Sequence, residues 1–168
     1  NPTLVGDFSI EKIVSGSAVV DPDFEFSFEY STDDGATWVP VDGVLAGSAN
    51  AWTSPSFNAG TTVQVREIAP AGGFWAEPTF TVDGIAVDEP VEFTIGAEST
   101  VAVVVTNPTS TGDFSIEKVV SGSADVDPDL EFSFEYSTDG GATWVAVDGV
   151  LAGADNAWTS PAFNTGTE

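Results

Sequence analysis

The chain has 168 residues, 42% of them hydrophobic, with 12 Phe and 5 Trp, which is enough to bury a core and too much for a disordered chain. Its 27 acidic residues face three basic ones, for a formal net charge of -24, so nucleic acid and anionic membrane surfaces repel it. Cys and His are absent, which removes disulfides, thiol chemistry and the commonest acid–base side chain, and apolar runs such as "VAVVV" at 101–105 are far too short to span a bilayer.

In chain order, "FSIEKIV" (8–14) is the first strand candidate. "FEFSFEY" (24–30) follows, alternating aromatic and polar residues. "TTVQVRE", "FWAEPTFTV", "VEFTI" and "TVAVVVTN" complete the series, with Gly, Pro, Asp and Ser clusters between them at hairpin spacing. No window carries a helical period. The chain therefore reads as all-β, and an Ig-like sandwich of this size has about seven strands.

The pattern occurs twice. Residues 6–62 and 112–168 align without a gap at an offset of 106, with 47 of 57 positions identical, and Asn1-Pro2-Thr3 matches Asn107-Pro108-Thr109. The expected organisation is tandem β-sandwich repeats of 106 residues. Residues 1–5 are the end of a preceding repeat and its linker, 6–107 a complete repeat, 108–111 a linker, and 112–168 the N-terminal part of an incomplete second repeat.

Only two lysines exist, Lys12 and Lys118, and they occupy equivalent places in the two copies. In a strand, residues i and i+2 share a face. Lys12 thus shares the inward face of Phe8, Ile10 and Val14. By the same rule Glu67 shares the face of Val63 and Val65, and Asn107 that of Val101, Val103 and Val105. A desolvated lysine tends to become a neutral, nucleophilic amine, and a buried carboxyl tends to gain a proton and can then polarise a carbonyl and shuttle protons. The Asn carboxamide is an electrophile. Phase alone fits three arrangements: a Lys–Asn isopeptide bond, a buried Lys–Glu ion pair with Asn hydrogen-bonded to it, or strand ends with their polar tips in water.

"F-S-I-E-K" on the first strand, "F-N-A-G-T-T-V-Q-V-R-E-I-A-P-A-G-G-F" in the middle and "V-V-V-T-N" at the end resemble the CnaB-type (prealbumin-like, reverse-Ig) repeat domains of Gram-positive and actinobacterial cell-surface proteins. The resemblance covers the first copy. It departs in the turn, which is "PAGGF" rather than a tight Pro-x-Gly-Tyr. It implies a Lys12–Asn107 isopeptide bond assisted by Glu67, with Lys118 and Asn1 as unpaired equivalents. It further implies an extracellular cell-wall stalk or spacer, not an enzyme with a substrate. The partners expected are neighbouring repeats, with strand exchange or fibre assembly as ways to complete the second repeat, and no cofactor is expected because proximity and desolvation supply the rate. The alternative is an adhesin module gripping a glycan, ice or a protein through its loops.

"STDDGATW" (31–38) and "STDGGATW" (137–144) fit the Asp-box pattern of sialidases. That motif is a self-stabilising hairpin without a catalytic group, and one Arg cannot form a sialidase's arginine cluster. Asp21, Asp23, Asp33, Asp34 and Asp42 raise the question of Ca²⁺. No EF-hand-like ligand order is present, so solvated acidic loops with weak, non-specific cation binding are expected. Trp52 and Trp158, in "NAWTSP", are read as plugs at one end of a sandwich rather than sugar platforms.

Overall fold

A computed structural model describes residues 3–168; Asn1, the expected equivalent of Asn107, lies outside the described residues. The chain divides into two compact units, one ending at Ser110 and one spanning Thr111–Glu168.

The first unit is built from β1 (Val5–Gly16), β2 (Phe26–Ser31), β3 (Val39–Val44), β4 (Trp52–Thr53), β5 (Phe57–Asn58), β6 (Thr62–Glu67), β7 (Thr79–Val82), β8 (Ile85–Val87), β9 (Val91–Thr94) and β10 (Thr100–Thr109). One sheet runs β4-β1-β10-β7-β8, with β5 also on β1, and the other runs β3-β2-β6-β9. The core lies between them. Phe8, Ile10, Phe80, Val101, Val103 and Val105 face Phe26, Phe28, Tyr30, Val41, Val63, Val65, Val91 and Phe93. Alternation on β1, β2, β6 and β10 produces this layer, as the period of two requires, and breaks on β2 only at Ser31.

The first and last strands of the unit, β1 and β10, pair in parallel, in unbroken register from Asp7↔Thr100 to Gly16↔Thr109. The chain therefore enters the unit at one end and leaves at the other. β10 runs through Pro108 and Thr109, two positions that the sequence reading gave to the linker. Thr109 holds this end: its hydroxyl donates to the Ser15 carbonyl and accepts from the Ala18 amide. Gly16 makes the close approach possible, since with φ at 98° a Cβ there would lie 2.1 Å from the Thr109 carbonyl oxygen.

Two elements depart from the simple pattern. β3 carries Pro40 and Gly43, and its buried residues Val41 and Val44 are three apart because the register with β2 shifts between Phe26 and Phe28. The expected strand at 74–82 is formed only from Thr79 on; Phe74–Pro78 belong to a loop.

The second unit repeats the local structure of the first half of that sandwich. It holds β11 (Thr111–Gly112), β12 (Ser115–Ile116), β13 (Phe132–Tyr136), β14 (Val145–Val150), β15 (Trp158–Thr159) and β16 (Phe163–Asn164). Ser115↔Thr159 repeats the pairing Ser9↔Thr53, and the bridge Lys118↔Ala152 repeats Lys12↔Ala46.

Candidate functional site

Three polar side chains converge inside the first sandwich, each held by the alternation of its own strand. Lys12 on β1 is fully buried, Asn107 on β10 is 1% exposed and the Glu67 side chain on β6 is 2% exposed. Because β1 and β10 run in register, Val14 is the direct neighbour of Asn107, and Lys12 lies one inward position along the same face. Glu67 comes from the opposite sheet, opposite Phe28 on β2.

A single oxygen joins the set. Glu67 Oε1 lies 2.9 Å from Lys12 Nζ and accepts from Asn107 Nδ2 at 3.2 Å. The lysine contact is an ion pair by distance but lacks the alignment of a hydrogen bond, so Nζ has no hydrogen-bond partner among the described residues. Glu67 Oε2 and Asn107 Oδ1 are also buried without one. Burial pushes the Lys12 ammonium below its ordinary value, and Glu67 opposes that shift without cancelling it. Nζ sits 4.6 Å from the Phe26 ring centroid and 6.0 Å from that of Phe28. Both polar tips are thus dry, and the strand-end arrangement does not occur.

An aromatic cover lies over this end of the sandwich. Trp75 packs on Phe24, Phe26 and Phe74, and its indole N–H donates to the Ala71 carbonyl at 2.9 Å. The cover is tied to the strand carrying Asn107: the Ala76 amide donates to Pro108 and the Ser110 amide to Phe74. Sequence reasoning missed Trp75. It placed "FWAEP" on a strand, whereas the flanking Pro70, Gly72, Gly73 and Pro78 mark a loop whose aromatics turn inward.

Lys118, half-buried, sits 4.7 Å from the Phe132 ring centroid, the counterpart of Phe26. Three of the candidate cation ligands accept hydrogen bonds from their own chain. Asp33 accepts from Thr37 and Ser31, which hold its carboxyl down at about pKa 2. Asp21 accepts from the Asp23 amide, and Asp34 accepts from Gln64. Among the described residues, no three carboxylates gather as a metal site. Trp52 packs on Phe8 and Tyr30, and Trp158 on Phe114 and Tyr136.

The first unit is an all-β sandwich with a buried Lys–Glu–Asn set bridging its first and last strands. The model of a family described as a domain of unknown function, DUF5979, matches residues 8–109, and the chain belongs to that family. No curated protein matches it. Two solved structures resemble it. One is a pilus-presented adhesin, Spy0125 (Cpa), at 17% identity and TM-score 0.44, covering 64% of this chain and 28% of the adhesin. The other is the major pilin protein (T3.2) from Streptococcus pyogenes, at 17% identity and TM-score 0.37, covering 64% of this chain and 45% of the pilin.

Proposed function

We propose that the chain is a tension-bearing repeat of an extracellular surface stalk or fibre, CnaB-like in type, locked by a self-formed isopeptide bond between Lys12 and Asn107. The observation that carries this reading is the shared oxygen, Glu67 Oε1, which touches both the nucleophile and the nitrogen that must leave.

The chemistry follows from that position. Desolvation favours the neutral Lys12 amine, and Glu67 takes the proton it sheds. Nζ attacks Asn107 Cγ, the Nζ–Cγ bond forms and the Cγ–Nδ2 bond breaks. Glu67 passes that proton to Nδ2, which departs as ammonia, and takes the second proton that Nζ loses, so the amide is neutral and the carboxyl ends protonated. Burial and fixed strand register supply the proximity that replaces a cofactor. No external substrate is consumed.

The mechanical reading rests on the parallel β1–β10 pair, whose free ends point in opposite directions. A bond at 12–107 would join them directly, and residues 13–106 would carry no tension. Repeats strung end to end would then form an inextensible spacer.

Peptide mapping tests the chemistry. A branched peptide joining the segments around Lys12 and Asn107 is expected from the wild type and not from Glu67→Ala, while Lys118 is expected as a free amine. Only linear peptides from the wild type, or a branch at Lys118, would contradict this reading.

A further inference from the structure

The buried set is sealed on one side only. Lys12 is enclosed by the sandwich and the Phe26 and Phe28 rings. Glu67 and Asn107, by contrast, form the inner wall of a cavity of about 340 Å³ beneath the loop over residues 69–78. Trp75 and Pro70 are among its apolar lining residues, and Glu77 and Glu89 are acidic ones. No basic residue lines the cavity. The two wall residues nearest the reaction each keep an oxygen without a hydrogen-bond partner, Glu67 Oε2 and Asn107 Oδ1, although both side chains are almost fully buried.

We infer that this cavity is a site for ammonia and ammonium, and the port through which the leaving nitrogen of Asn107 escapes. The inference rests on the isopeptide reading above. Unpaired buried oxygens are costly unless a donor reaches them. Ammonia and ammonium have several N–H donors and fit beside an aromatic face and carboxylates. A divalent metal needs converging ligands, and among the described residues no such group exists. The asymmetry also has a chemical use. The leaving group starts on Asn107, a residue of the cavity lining, and Lys12 is not among the lining residues, so it departs without passing the dry amine. Once ammonia has gone, the amide cannot be cleaved by the reverse step, because that step needs ammonia back in this cavity.

The full chain, synthesised in a cell-free system and quenched at intervals, gives the rate of ammonia loss by intact mass. Ala76→Leu and, as a second variant, Ala69→Leu add bulk to the cavity lining while leaving Lys12, Glu67 and Asn107 in place. Each is checked for a wild-type thermal unfolding transition. Slowing of ammonia loss by several-fold in a folded variant is expected. So is slowing of the wild type by ammonium chloride beyond the effect of sodium chloride at equal ionic strength. Wild-type rates in both folded variants, or equal effects of the two salts, would overturn the port while leaving the isopeptide reading intact. A wild-type chain that never loses ammonia would remove both.

Discussion

Lys12 is the costliest residue in the sandwich if it stays an ammonium. A buried ion pair seldom repays its desolvation, and breaking one by deleting a partner costs about 3–5 kcal/mol. Conversion to an amide removes that charge. Asn107→Ala leaves Lys12 unreacted, and its titration then becomes visible. The folded-state value lies below the ordinary 10.5, so the unfolded chain binds more protons between the two. Stability of Asn107→Ala should therefore rise with pH toward about 10.5, whereas a cross-linked wild type has no such component. Urea unfolding across the alkaline range measures it, and identical slopes for the two proteins would contradict it. This residue was legible in the sequence because alternation alone assigns a face. The contact distances were not, since Glu67 belongs to the opposite sheet and phase says nothing about which side chains meet across a core.

At the scale of elements, the Asp-box hairpins are the clearest case of local chemistry fixing structure. In each, one carboxylate gathers the turn: Thr37 donates through hydroxyl and amide to Asp33, and Thr143 does the same to Asp139. Both acids are held at about pKa 2, first by the threonine hydroxyl, against an ordinary 3.8. A depressed acid contributes stability that is complete above its unfolded value and is lost as pH falls toward the folded one. The Asp33→Asn/Asp139→Asn chain should therefore lose less stability than the wild type between pH 4 and pH 2. Equal acid sensitivity in denaturant titrations would show that these carboxylates do not matter. These hairpins were legible because their contacts lie within a few residues. β3 was not, since its bulge replaces the period of two with buried residues three apart. Nor was the loop over the site, where Phe74 and Trp75 mimic a strand by composition.

Over the whole molecule, the two copies share sequence and local structure, and the net charge of -24 adds a self-repulsion that salt relieves. A bond between residues 12 and 107 would oppose it. In the chain-entropy treatment of disulfides, closing a loop of about 100 residues contributes about 4.7 kcal/mol. It also changes the response to force. Pulled at the ends of the first unit, the wild type should show no lengthening from residues 13–106, while Asn107→Ala should release that segment in one step; equal lengthening in both would end the mechanical reading. The most direct measurement is the intact mass of the purified 168-residue chain. A cross-linked chain is lighter than its sequence by one ammonia, and Lys12→Ala, Glu67→Ala and Asn107→Ala each give the full mass of their own sequence. A wild-type chain at its full sequence mass would contradict the central claim.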